Sequence, residues 1–341
     1  MPSLNFAAFG AGFWTTFQLA GWREIGGTNC VAIYNRTAAK AEAIAARFQI
    51  PHWYSDAREM LDKESLDFVD IITGVETHAL FTRMASSRRL PVVCQKPMAT
   101  SVDEAEDMVK SCAEAGVPLL INENWRWQTP IREVKRLLDG GEIGLPFRAR
   151  IDMVSGFPVF ENQPFLRSAE QFILADLGSH ILDVARFLFG EMGRLYCQTA
   201  RVHADIVGED VATVVLETAN GCTVVCELAY AGNHLERDRF PETCIFVEGS
   251  RGSIELSLDF QVRITTSRGT HSRRVPPPRY GWADPAYDIV HSSIVPCQAN
   301  LLCALKGEGT AETTGEDNIK SVRLVDASYE SARTGQSVRL V

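Results

Sequence analysis

Gly10-Ala11-Gly12 stands directly behind a short apolar run, residues 4–9, and directly ahead of a stretch with helical spacing that begins at Phe13. That placement, more than any other feature, limits what the chain can become. Between a buried strand and a helix, Gly10 permits a tight turn and Gly12 lets the backbone come close to a pyrophosphate. The helix amino terminus behind them favours the negative charge. The turn therefore reads as a dinucleotide-binding loop. Thr15 occupies the position where a third glycine or an alanine is usual, which predicts slightly wider packing of helix on strand. The bulky pair Phe13-Trp14 is placed to line the cofactor.

The flanking sequence extends the pattern. Residues 30–34 form a second short apolar run, with a helix over 13–20 closing near Gly21. Another helix spans 37–48, where Ala41, Ile44, Ala45 and Phe48 recur at helical spacing ahead of Pro51. Residues 68–72, 91–94 and 119–122 are strand-like, and Ser101 with Glu104 makes the capping box of a helix ending at Gly116. Such alternation predicts an α/β fold: a Rossmann-type parallel sheet with helices on both faces.

Past Asn124 the pattern changes. Thr129 and Pro130 supply an N-cap and N1 pair for a helix through Leu138. Strands then dominate, at 148–154, in a hairpin of 211–218 and 222–228 around Asn220-Gly221, and at 244–247, 252–256 and 261–266. Helices near 175–189, 286–305 and 316–332 complete the chain. The expectation is a Rossmann domain over 1–124 and a second α/β domain over 125–341 with a large, mostly antiparallel open sheet. The closing helices are free to pack back on the first domain.

Length and charge fit that division. At 341 residues the chain can build two separate cores. Its 34 basic and 43 acidic side chains give a net charge of -9, which offers no overall positive field to nucleic acid or anionic lipid. Nine cysteines, an odd number without a C-x-x-C pair, sit mostly in apolar runs. They read as packing residues in a reducing cytoplasm, with no disulfide framework and no metal site. Residues 1–12 carry neither the basic region of a signal peptide nor an apolar stretch long enough to span a membrane.

Three local patterns bear on chemistry. At the end of the second strand stands Asn35-Arg36 instead of an acidic residue. Asn35 can bond a ribose, while Arg36 can pair with a 2′-phosphate, stack on adenine or face solvent, so the pair alone leaves NAD and NADP open. In Gln95-Lys96-Pro97, the lysine ends a parallel strand, where open α/β sheets bind ligands. Its ammonium either polarises a substrate hydroxyl or is a solvated group ahead of a turn. Asp176-Leu177-Gly178-Ser179-His180 puts a carboxylate and an imidazole on one helix face. Imidazole titrates near neutrality and can take the proton of an alcohol that loses hydride, with Asp176 favoured as an anion near the helix start. The plain alternative is a capping aspartate and a surface pair.

Taken in order, Gly10 to Thr15, Gln95-Lys96-Pro97, Asn124-Trp125-Arg126-Trp127, Asp176-x-x-x-His180 and the closing Glu330-Ser331-Ala332-Arg333-Thr334-Gly335 resemble the Gfo/Idh/MocA oxidoreductases, over nearly the whole chain. The resemblance implies Lys96, Asp176 and His180 as the catalytic residues. Gln95 departs from the family's usual Glu and removes a negative charge beside Lys96 and the nicotinamide. NAD is the cofactor implied, with NADP as the alternative, held by Gly10, Gly12, Phe13, Trp14, Asn35, Arg36, Thr73, Gly74, Thr77, His78, Gln95, Lys96, Pro97, Asn124 and Arg126. The substrate implied is a sugar, an aldose oxidised at C1, contacted by Lys96, Asn124, Asp152, Asn162, Gln163, Asp176, His180 and Tyr280. The open sheet of the second domain is implied as the interface of a cytoplasmic homodimer or homotetramer.

On this reading His180 takes the C1 hydroxyl proton, Lys96 polarises that hydroxyl, and Asp176 orients the sugar or the imidazole. Trp125 or Trp127 offers an aromatic wall, and Tyr230, His234 and Trp282 stand in loops able to close over the site. The rivals are an NADP-dependent dehydrogenase of xylose, glucose or an inositol, a glycosidase that uses NAD transiently, and a dinucleotide-binding regulator without chemistry. Intact Lys96, Asp176 and His180 speak against the last.

Overall fold

Six parallel strands build the sheet that carries the glycine turn. The computed structural model describes residues 3–230 and 235–340; His234 and the side chain of Asn162, both singled out above, lie outside the described residues. The chain divides into two compact units, one of residues up to Glu123 with Ile294–Val322, the other of Asn124–Ser293 with residues from Arg323 onward.

In the first unit β1 (Leu4–Phe9), α1 (Phe13–Ile25), β2 (Thr28–Tyr34), α2 (Ala38–Phe48), β3 (His52–Tyr54), α3 (Ala57–Lys63), β4 (Phe68–Ile71), α4 (His78–Ser86), β5 (Val92–Gln95), α5 (Val102–Ala115) and β6 (Leu119–Asn122) alternate. The strands lie in the order β3-β2-β1-β4-β5-β6, every pair parallel. Helices cover both faces, so Phe6, Phe9, Val69, Ile71, Val92 and Val93 are all buried, and the central strands read as unbroken apolar runs. Strand order reverses between β1 and β4. The loops behind those two strands therefore diverge, and the crevice at their carboxyl ends is where such sheets take ligands.

Helix α1 does not close at Gly21, as its glycine suggested, but runs to Ile25 and stops at Gly26, whose φ is 66°. Gly21 is a packing residue: a Cβ there would lie 2.3 Å from Gln298 Oε1 and 2.8 Å from Ile294 Cγ2. The same contact holds a buried polar knot. The amides of Gln298 and Asn122 both donate to Gln18 Oε1, each at 2.7 Å.

The second unit holds α6 (Thr129–Asp139), β7 (Pro146–Ser155), α7 (Val159–Asn162), α8 (Ser179–Phe189), β8 (Met192–Ala200), β9 (Val211–Thr218), β10 (Thr223–Tyr230), β11 (Cys244–Gly249), β12 (Gly252–Ser257), β13 (Gln261–Thr266) and β14 (Gly269–Arg274). Then come α9 (Asp288–Leu305), α10 (Gly315–Thr334) and β15 (Val338–Arg339), the two helices each contributing residues to both units. Nine strands form one sheet, β14-β13-β12-β11-β7-β10-β9-β8-β15. All its neighbours are antiparallel except β7 and β10. The expected mostly antiparallel sheet is therefore what the chain forms. Along β7, Ala149, Ile151, Met153 and Ser155 are buried while Arg148, Arg150 and Val154 are exposed. Successive side chains point to opposite faces, and α8 packs on β7 and β10, so the second set belongs to the open face. Helix α6 begins at Thr129 itself with Gln128 in the capping position, one residue earlier than the sequence suggested.

All nine cysteines are free thiols. Among the described residues no helix is long and apolar enough to cross a membrane, and no group of three or more His, Cys, Asp or Glu side chains could hold a metal ion.

Candidate active site

Gly10 takes φ 103°, and a Cβ on it would sit 2.6 Å from the carbonyl oxygen of Ile72, because the ends of β1 and β4 run side by side. Gly12 is different. A Cβ there would meet nothing within 4 Å, so no protein neighbour demands glycine at that point. The open space lies at the amino terminus of α1, where a phosphate can approach the backbone. Thr15, fully buried, accepts from the Gly12 amide and donates to the Gly10 carbonyl, both at 3.1 Å. Its hydroxyl ties the turn together, a role that reading it as a missing third glycine overlooks. Asn35 Oδ1 accepts from the Ala11 amide at 3.3 Å and Nδ2 donates to the Thr37 carbonyl at 3.1 Å. Arg36 is exposed. Phe13, 37 % exposed, meets the rings of Trp14 and Phe17 edge-on at 5.3 and 5.1 Å.

Behind β4 the Thr77 hydroxyl lies 2.7 Å from that of Thr73 and 2.9 Å from the Gly74 carbonyl. His78, expected at the cofactor, is buried. Its Nδ1 is 3.1 Å from the Pro97 carbonyl and 3.2 Å from that of Met98, and its Nε2 is 3.2 Å from the Thr73 carbonyl. Burial holds its pKa below the usual histidine value, opposed by the carbonyls that accept from the ring. The ring braces the loop behind β4 against the segment that carries Lys96. Lys96 itself is half-buried at the end of β5, ahead of a cis peptide to Pro97. Gln95 Nε2 is buried and finds no hydrogen-bond partner among the described residues. A buried orphan donor calls for an acceptor from outside. With the open cradle at Gly12, it makes this unit fit a dinucleotide.

In the second unit Asp176 lies in a wide π-helical turn, Leu174–Gly178, that leads into α8. Turns of this kind are rare and concentrate at functional sites. They also correct the simple α-helical spacing read for Asp176 and His180. His180 is buried, and the Trp125 indole is stacked on its ring, 4.3 Å between centroids with 27° between planes. Trp125 is fixed in turn by its Nε1, which donates to Thr243 Oγ1 at 3.0 Å, and by the Phe240 ring at 5.8 Å. Arg126, expected at the cofactor, forms a buried bidentate pair with Asp183 at 2.8 and 2.5 Å. That pair locks the Trp125–Trp127 turn onto α8 and sets the indole over the imidazole.

Other expected contacts divide. Asn124 is buried, its Nδ2 donating to Ser293 Oγ at 2.7 Å and to the Val290 carbonyl at 3.2 Å. Asp152 faces the open side of the sheet with Arg150, at 2.9 Å, and Glu227, opposite it on β10. Strand alternation thus puts it on the face away from α8. Gln163 is half-buried between α7 and the short turn Pro164–Ser168. The Tyr280 ring is stacked on Trp282 at 5.4 Å. Tyr230 is buried and stacked on Phe172 at 5.4 Å; burial and Asp176 raise its hydroxyl well above the ordinary value.

Residues 4–123 match the model described as "Oxidoreductase family, NAD-binding Rossmann fold", and residues 131–255 match the "GFO/IDH/MocA C-terminal domain". The chain belongs to the Gfo/Idh/MocA family of oxidoreductases, and its first unit is an NAD-binding Rossmann domain. Among its relatives, D-apiose dehydrogenase of Paraburkholderia graminis is 41% identical over 334 residues, covering 98% of this chain and 89% of that one. D-apiose dehydrogenase of Rhizobium rhizogenes is 38% identical over 338 residues, covering 99% and 98%. An oxidoreductase from Agrobacterium radiobacter, solved in complex with NAD+, L-tartaric acid and magnesium, superposes with a TM-score of 0.96 at 38% identity, covering 99% and 98%.

Proposed function

We propose that the protein is a D-apiose dehydrogenase, oxidising C1 of the cyclic branched aldopentose to D-apionolactone with NAD. The observation that carries this reading is the identity of 41% and 38%, sustained over nearly the full chain, to two relatives of that name. Bound NAD supplies the hydride acceptor. The chain supplies the rest: His180 takes the proton of the C1 hydroxyl as hydride leaves carbon, Lys96 polarises that oxygen, and Asp176 orients the sugar or the imidazole. The stacked indole of Trp125 favours the imidazolium that results. Gly10 and Gly12 admit the pyrophosphate, Asn35 reaches the ribose, and Gln95 donates to the nicotinamide end. Gln163 and Tyr280 are the sugar contacts proposed from the rim.

The enzyme is proposed to act in the cytoplasm, in sugar breakdown, as a homodimer or homotetramer through the open face of the nine-stranded sheet. That face supports the assembly by exposing Val154, Tyr196, Val215 and Phe246 between charged neighbours.

The test is reduction of NAD and NADP across D-apiose, common aldopentoses, aldohexoses and inositols. D-Apiose with NAD should give the highest kcat/KM. Preference for D-xylose or an inositol refutes the substrate. His180→Ala and Lys96→Ala should each lower kcat by about 10²–10⁴-fold while NAD still binds. Near-full turnover in either refutes its role.

A further inference from the structure

The helix bearing Asp176 and His180 starts without a capping residue of its own. Its capping position falls on Phe172, whose side chain accepts no hydrogen bond. The amide donors of the first turn, which have no partner within the helix, are met from two distant points of the same unit. The Glu209 carbonyl accepts from the Ile173 amide at 3.1 Å. The Glu209 carboxylate accepts from the Leu174 amide at 3.1 Å and from that of Phe172 at 3.3 Å to each oxygen. Tyr329, on α10, accepts from the Ala175 amide at 3.2 Å and donates to Glu209 Oε1 at 2.7 Å. The next amide, that of Asp176, bonds back to the Phe172 carbonyl at 2.8 Å. Glu209 and Tyr329 thus hold every backbone donor of the turn up to Asp176.

We propose that Glu209 and Tyr329 are positioning residues for the dehydrogenase site: together they clamp the entry to the π turn and so fix how Asp176 and His180 face the sugar. The inference rests on the reading of those two residues as the catalytic pair. Two physical consequences separate it from ordinary stabilisation. Misplacing a catalytic group by about 1 Å can cost about 10²-fold in rate without unfolding anything. In addition, the Glu209 carboxylate offsets the positive end of the helix dipole. Without that charge the dipole disfavours an imidazolium on His180, and the acidic limb of the rate profile moves to lower pH. Tyr329 remains a donor throughout, because burial and the adjacent Glu209 carboxylate push its hydroxyl far above the ordinary tyrosine value.

The full chain is compared with Tyr329→Phe, Glu209→Gln and the milder Glu209→Asp, reading kcat, KM for sugar and for NAD, the pH profile and amide exchange over residues 172–180. Tyr329→Phe should lower kcat about tenfold and Glu209→Gln by about 10- to 100-fold, with KM for NAD within twofold of the parent. Glu209→Gln should also move the acidic limb down by roughly half a pH unit, and Glu209→Asp should recover part of both effects. Amide exchange at 173–176 should accelerate in each variant. A kcat and pH profile within twofold of the parent in both Tyr329→Phe and Glu209→Gln overturns the proposal. If the parent turns over no sugar, the functional reading fails separately. Unchanged exchange at 173–176 would then still overturn the clamp, and accelerated exchange would support it.

Discussion

The indole of Trp125 lies over the imidazole of His180 at a centroid distance of 4.3 Å, and its own N–H is tied to Thr243. A π face held against an imidazole stabilises the protonated ring by about 0.5–2 kcal/mol. That is roughly half to one and a half pH units. With His180 as the proposed base, rate should rise with pH as the imidazole loses its proton, so Trp125→Leu should shift this acidic limb of kcat/KM to lower pH and reduce kcat. A pH profile of sugar oxidation checks it. An unmoved limb, or one shifted upward, would show that the stack does not act on the base.

Arg126 and Asp183 are both almost fully buried, and removing one partner leaves the other as an uncompensated charge. Arg186 stands 3.8 Å from the same carboxylate and offsets part of that cost. Arg126→Met should therefore destabilise by about 3 kcal/mol. The double variant Arg126→Met with Asp183→Leu should recover most of it. Urea unfolding measures both. A single variant as stable as the parent would mean that Arg186 alone suffices.

Asp70 is the buried carboxylate of the first sheet, between Ala8 of β1 and Val93 of β5. One oxygen accepts from Trp22 Nε1 at 2.7 Å; the other has no hydrogen-bond partner among the described residues. Burial raises its pKa from 3.8 to about 7, partly opposed by the Trp22 bond. Because the folded value is the higher one, the protonated acid favours folding. That contribution is complete below about pH 4 and is lost as pH rises through about 7. Stability relative to Asp70→Asn should fall between about pH 4 and 7, by roughly 1–4 kcal/mol, and level off above. Trp22 emission in the folded protein should change with a midpoint near pH 7, and Trp22→Phe should abolish that change. A parent whose stability runs parallel to that of Asp70→Asn over this range would rule out titration of Asp70.

What could be read from the sequence followed from period and punctuation. β1 and β6 of the first sheet are short, mostly buried apolar runs and were legible to the residue, as were β9 and β13 in the second sheet. Gly21 misled because a glycine needed for close helix contact looks the same in sequence as one that ends a helix. Elements such as β14, every residue of which is exposed, carry no apolar alternation to read. The same limit governs the site. Lys96, Asp176 and His180 stand in recognisable local patterns, but the roles of Thr15, His78 and Arg126 depend on partners distant in sequence or on a turn's hydrogen bonds. Glu209 was silent for the same reason. The one available signal was negative: a helix opening at Gln171-Phe172-Ile173 lacks a capping residue, and some other part of the chain has to supply one.

Asn35 and Arg36 stand where a ribose or a 2′-phosphate would be read, so substitutions there test the choice between the two dinucleotides. Asn35 already sits on the glycine turn, accepting from the Ala11 amide, while the neighbouring Arg36 is exposed. An aspartate at position 35 keeps that acceptor and adds a charge that repels a 2′-phosphate, so Asn35→Asp should raise the NAD over NADP ratio of kcat/KM about tenfold or more, about 1.4 kcal/mol. Arg36→Ala removes the cation that any NADP use would draw on. It should lower kcat/KM for NADP about tenfold and that for NAD less than threefold. Initial rates with both cofactors at saturating sugar decide the matter. A parent that prefers NADP, and loses the preference with Arg36→Ala, would make this an NADP enzyme and would assign Arg36 to the phosphate.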